Sequence, residues 1–168
     1  QSNIAQTYIK LGKLNDACRL LRCVYSGHLK ASGEEDRRTL IAANNYATSL
    51  RDLGRVEDAK SVIRKTMPVA QRVFGGGDEV TLRMRVNYAQ MVCKDANVTL
   101  KNLNEAVDSL KEIEPTARRV FGISHPFTAM VEQTLKWSRA TLRARAISNL
   151  EESGLTPADI EKLELEGS

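Results

Sequence analysis

Cys18, Cys23 and His28 place two thiols and an imidazole within a short stretch, and soft ligands close in sequence are what a zinc site needs. Their spacing argues against one. A step of five residues turns about 140° on a helix, so the three side chains scatter around it instead of converging. The thiols therefore read as buried or incidental, and no metal is expected. Gly75-Gly76-Gly77 could in principle cradle a phosphate. No Gly-Lys-Ser/Thr follows and no strand pattern adjoins it, which leaves a flexible connector. His125 stands before Pro126 at the start of a helical pattern, where capping is the better role than catalysis. No Ser/His/Asp set and no paired carboxylates stand out. The chain is not expected to be an enzyme, and nothing in it calls for a cofactor.

What organises the chain is a repeat. "PVAQRVFG" at Pro68 returns as "PTARRVFG" at Pro115. A shift of 42 residues lays Asn87-Tyr88-Ala89 over Asn45-Tyr46-Ala47, and those over Asn3-Ile4-Ala5. The same shift puts Leu53-Gly54 on Leu11-Gly12 and Asp78 on Asp36, whereas Phe74-Gly75 and Phe121-Gly122 lie 47 apart. Periods of this size with helical patterning mean stacked helix pairs.

Each unit parses physically. Asp36, Asp78 and His125-Pro126 mark one helix start. Ala43, Tyr46, Ala47 and Leu50 form an apolar stripe at i, i+3, i+4, i+7. Gly54 closes that helix, since glycine accepts a left-handed terminus. Glu57 and Asp58 load the first turn of the second helix, which runs to Phe74 and stops at Gly75. Pro68 and Pro115, with Ser26 at the same place in unit one, predict a kink or break late in each second helix. The five extra residues of the third unit predict a protruding loop around Asp95–Lys101. Pro126 to about Asn149 reads as one capping helix, and "LTPADIEKL" as a short helix with Thr156 as its cap. The expected fold is all-α: a solenoid of stacked antiparallel pairs, with repeats over residues 1–146 and an acidic tail over 147–168. Asn3 falls mid-helix in this register, which suggests a piece of a longer solenoid.

Asn-Asn-Tyr-Ala at 44–47, Leu-Gly at 53–54, Glu-Asp-Ala at 57–59 and Phe-Gly-Ile-Ser-His-Pro-Phe-Thr at 121–128 resemble the tetratricopeptide repeats of kinesin light chain. That family uses units of about 42 residues, longer than the usual ~34. The resemblance implies a right-handed superhelix whose first helices line a peptide-binding groove. It places Asn3 and Gln6, then Asn45 and Thr48, then Arg83, Asn87, Gln90 and Lys94 on the groove. Lys10, Ile41 and Asp52 share the pattern, and the capping helix offers Thr134 and Trp137. Lys136 and Trp137 depart from the family's small-residue pattern. The coiled coil that binds motor heavy chains is not in this sequence, so motor transport does not carry over.

Asparagine recurs at Asn3, Asn45 and Asn87, one per unit. A carboxamide both donates and accepts, so such a row can hold an extended peptide backbone; a merely solvated face is the plainer alternative. Lysine and arginine beside it favour acidic ligands. Charge agrees. After Leu150 six acids face Lys162 alone, a charge of −5 that leaves +9 on the rest of a chain whose formal total is +4. The expected function is a protein-interaction scaffold for a linear, acidic segment of another protein. A basic solenoid binding RNA and a structural subunit of a larger assembly are the alternatives, although only 5% of residues are aromatic and few could stack on bases. Three cysteines are no disulfide framework and suggest an intracellular, cytoplasmic setting. No apolar run approaches the roughly 18–20 residues that span a bilayer.

Overall fold

Aspartate, histidine and glycine punctuate the chain where the repeat places them. A computed structural model describes residues 13–152. These form α1 (Leu14–Ser32), α2 (Arg37–Asp52), α3 (Val56–Phe74), α4 (Glu79–Lys94), α5 (Leu100–Phe121) and α6 (Pro126–Glu152). No strand occurs among the described residues. Asp36 accepts from the backbone N–H groups of Arg38 and Thr39 at 2.9 and 3.3 Å, and Asp78 from that of Val80 at 2.8 Å. His125 does the same work with its ring: Nδ1 accepts from the Phe127 N–H at 3.1 Å. Each cap occupies a donor that the first helical turn leaves without a partner.

The Phe-Gly of the repeated phrase has a backbone reason. Gly33, Gly75 and Gly122 end α1, α3 and α5 with φ of 82°, 84° and 93° and ψ of 178°, 166° and 159°. That region is almost closed to any residue with a Cβ. At Gly122 an added Cβ would meet nothing within 4 Å, so the cost of a side chain is backbone strain alone. Gly122→Ala should lower stability by about 1–3 kcal/mol, read from urea unfolding. An unchanged midpoint would mean the turn can relax.

Each helix packs on the next in sequence, and α2 on α4 and α4 on α6. First helices thus form one layer and their pair helices another. Two apolar cores result. Leu40, Ala43, Ala47 and Leu50 of α2 meet Ala59, Ile63 and Ala70 of α3 together with Met84 and Met91 of α4. Leu82, Val86, Ala89 and Val92 of α4 meet Leu103, Leu110 and Ile113 of α5 and Val131 of α6. α4 belongs to both, and Tyr88 packs against each.

Two expectations change. Helices α3 and α5 continue through Pro68 and Pro115, so neither proline breaks its helix. Both prolines are exposed, so the carbonyl that each leaves without an N–H partner lies on the water-facing side. The inserted residues of the third unit do not form a protruding loop either. Three lengthen the pair helix, from 19 residues in α3 to 22 in α5. The remaining connector, Asp95 to Thr99, is tied down. Val98 is buried, Asp95 bonds Lys60 at 2.6 Å, and the Ala96 carbonyl accepts from Arg145 at 2.7 Å. Lys60 of α3, 5% exposed, also pairs with Glu57. α6 runs through residue 146 to Glu152. The expected first helix of unit one, with Asn3, Gln6 and Lys10, and the short helix of the tail lie outside the described residues.

Candidate functional site

α2, α4 and α6 lie side by side, and two clefts open along the face they share. The first, about 290 Å³, is lined by Arg37, Ile41 and Asn45 of α2 and by Glu79 and Arg83 of α4. Its cations are already engaged. Arg83 bonds Glu79 at 2.8 Å and lies 5.0 Å over the Phe127 ring; Arg37 bonds Asp78 at 2.9 Å and lies 5.0 Å over Phe74. The second cleft, also about 290 Å³, is formed by Arg51 of α2, Gln90 and Lys94 of α4, and Met130, Gln133, Thr134 and Trp137 of α6. No acid lines it. Arg51 bonds the neighbouring Asp52 at 3.1 Å, whereas Lys94 is exposed and has no acidic partner among the described residues. Trp137 is 38% exposed, so an indole face stands beside an uncompensated ammonium.

Between the clefts runs a ladder of side-chain hydrogen bonds. The Asn87 amide donates to Asn44 Oδ1 at 2.8 Å and to Thr48 Oγ1 at 3.1 Å, and Thr48 donates to the Asn44 carbonyl at 2.9 Å. The Gln90 amide donates to Thr134 Oγ1 at 2.9 Å, while its own oxygen accepts from Arg51. Both N–H groups of Asn87 are thus spent inside the protein, and its oxygen is what it can still offer a ligand. Asn45 lines the first cleft, and its side chain makes no hydrogen bond among the described residues. The structure therefore brings Gln90, Lys94 and Trp137 together in one cleft and Asn45 and Arg83 in the other, with Thr48 and Asn87 in the ladder between them. Asn3 and Gln6 lie outside the described residues.

Sequence reasoning passed over Asn44, Arg51, Met130 and Gln133. A signal was present: Asn44, Thr48 and Arg51 fall at i, i+4, i+7, as do Met130, Gln133 and Trp137 at i, i+3, i+7.

Residues 39–79, from the first turn of α2 to the first residue of α4, match the family model of the tetratricopeptide repeat. Two solved structures share the architecture. One is a protein of Podosopora anserina described as a kinesin light chain with nearly identical TPR-like repeats: TM-score 0.73, 16% identity, over 93% of this chain and 75% of that one. The other is a point variant of the same protein, at TM-score 0.74 and 18% identity over 90% and 70%. The fold is a tetratricopeptide solenoid. No curated protein matches the chain. In the solenoid's terms α2–α3 and α4–α5 are complete pairs, and the face carrying both clefts is the one its first helices line.

Cys93 is buried between α4 and α6, and its thiol donates to Ser138 Oγ at 3.1 Å. Burial pushes that thiol up from its ordinary value, with the serine contact opposing, so it stays protonated and unreactive. Cys18 is buried and Cys23 exposed, on different sides of α1. Among the described residues no group of three or more His, Cys, Asp or Glu is placed to hold a metal, and no helix is long and apolar enough to cross a membrane.

Proposed function

We propose that the chain is a protein-interaction module that holds an extended, acidic segment of another protein along the face of α2, α4 and α6. One observation carries the reading. The cleft between α4 and α6 sets Trp137 and Met130 beside Lys94 with no carboxylate in its lining. An apolar anchor would fill the Trp137 side and an acidic neighbour would meet Lys94, while Asn45 and the Asn87 oxygen remain for peptide backbone. Residues 1–146 are the recognition body in this reading and 147–168 an appended acidic segment. Three free cysteines fit a reducing, cytoplasmic setting.

Trp137 is the only tryptophan in the chain and reports directly on its cleft. Titrating the protein with a synthetic nine-residue peptide of alternating glutamate and leucine should change its fluorescence saturably. Lys94→Glu should weaken that binding roughly tenfold, about 1.4 kcal/mol, because it turns one attraction into a repulsion. Equal affinity in the variant would remove Lys94 from the site. A response to polyuridylate and none to the peptide would replace the reading with RNA binding.

A further inference from the structure

On α2 and α4 the pair helix rests on equivalent positions. These are Leu40, Ala47 and Leu50 of α2, in one core with α3, and Leu82, Ala89 and Val92 of α4, in the other with α5. The register that lays Phe74-Gly75 on Phe121-Gly122 carries the same seat to Ala129, Lys136 and Arg139 of α6. All three are exposed, and Arg143 continues them one turn on. Lys136, Arg139 and Arg143 form no ion pair among the described residues; the acid on that face, Glu132, lies one turn before Lys136 and is held by Arg118 at 2.8 Å. Ala140 and Ala144, also exposed, leave room between the long side chains. Where earlier first helices offer a pair helix an apolar seat, α6 offers a basic one.

We propose that residues 153–168 of the same chain occupy this seat, with their carboxylates against Lys136, Arg139 and Arg143. This segment carries Asp159, Glu161, Glu164 and Glu166 against Lys162, together with Leu155, Ile160, Leu163 and Leu165. It follows directly from Glu152, the last residue of α6. Arg143 lies about 14 Å and Lys136 about 24 Å back along the helix from that point. Sixteen residues can span roughly 50 Å, so every member of the seat is within reach. Complementary charge selects the segment, and its leucines and isoleucine cover the alanines. The tether raises its effective concentration to about the millimolar range, which lets individually weak contacts hold it. Ion pairs of this exposed kind are screened by salt, so the contact is salt-sensitive. This seat lies apart from the Lys94 cleft and does not depend on the peptide reading above.

Amide hydrogen exchange on the full chain tests the proposal, with a synthetic peptide of residues 153–168 as the unprotected reference. At low ionic strength the amides of residues 158–166 should exchange about tenfold more slowly in the chain than in the peptide. The protection should vanish in roughly 0.5 M salt. It should also vanish in the triple variant K136E/R139E/R143E, whose helical circular dichroism should be intact because all three side chains are exposed. Lys94→Glu should leave it unchanged. Exchange equal to that of the peptide at low salt would overturn the proposal. So would protection that survives the triple reversal, protection lost in Lys94→Glu, or protection that rises with protein concentration, which would assign the seat to a second copy.

Discussion

Leu110→Ala is expected to lower the unfolding free energy by about 3 kcal/mol, the largest single effect we anticipate. Leu110 is 0% exposed and sits where α4, α5 and α6 meet, in the core that also holds Leu103, Ile113 and Val131. Truncating such a leucine loses its transfer free energy and leaves a cavity that packed helices close only in part, together about 2–5 kcal/mol. Urea unfolding followed by circular dichroism would measure it. Ile63→Ala, in the core of α2 and α3, should cost a similar amount, and the double variant should come close to the sum. The two residues share no core, and α4 is what joins them. A loss below about 1 kcal/mol from either change would mean that its core is not closely packed.

Asp95→Ala is expected to be the most costly change among the charged residues, at about 2 kcal/mol. It removes the better-shielded partner of Lys60, whose side chain is only 7% exposed. Stranding a buried charge costs about 3–5 kcal/mol. Here Asp95 itself is 19% exposed and Glu57 remains as a second partner, which lowers the expected cost. The double change Lys60→Met with Asp95→Ala should recover most of the loss, because the ammonium that needed a counter-charge is gone. The same pair gives acid sensitivity. The hydrogen bond from Lys60, then that from the Asn97 N–H, holds the Asp95 carboxyl below its ordinary value of 3.8. A depressed carboxylate contributes stability that is present above its unfolded value and is lost as pH falls through the folded one. Stability should therefore drop further between pH 5 and acid in the wild type than in the double variant. Parallel profiles would show that the pair is not coupled to folding.

The fold was legible because its punctuation is chemical. Aspartate caps, a histidine before proline and a glycine held in a nearly glycine-only conformation recur 42 and then 47 residues apart, and each has one physical use. The prolines do not break their helices because a helix interior tolerates the ring when the freed carbonyl lies toward water, and the pattern of types did not show which side Pro68 and Pro115 take. The site was less legible. Aligning repeats selects equivalent residues, Asn45 with Asn87, yet stacked helices touch at staggered ones. Asn87 bonds Asn44, 43 residues away, Gln90 bonds Thr134, 44 away, and Cys93 bonds Ser138, 45 away. Asn44 and Asn45 both line the first cleft but point about 100° apart on α2, so a one-residue shift decides which amide is spent in the ladder and which makes no side-chain bond among the described residues.

The order of packing also bears on how quickly the chain can find this arrangement. Every packed pair among the described helices is adjacent in the chain or separated by one helix. No contact has to wait for a distant segment to return, so little loop entropy is lost before each pairing is rewarded. Helical topologies of this kind reach the native state in microseconds to milliseconds. A ribosome releases the chain far more slowly, at about 5–20 residues per second. Each pair can therefore be seated on its predecessor before the next has left the ribosome, and only the newest apolar stripe stands uncovered at any moment.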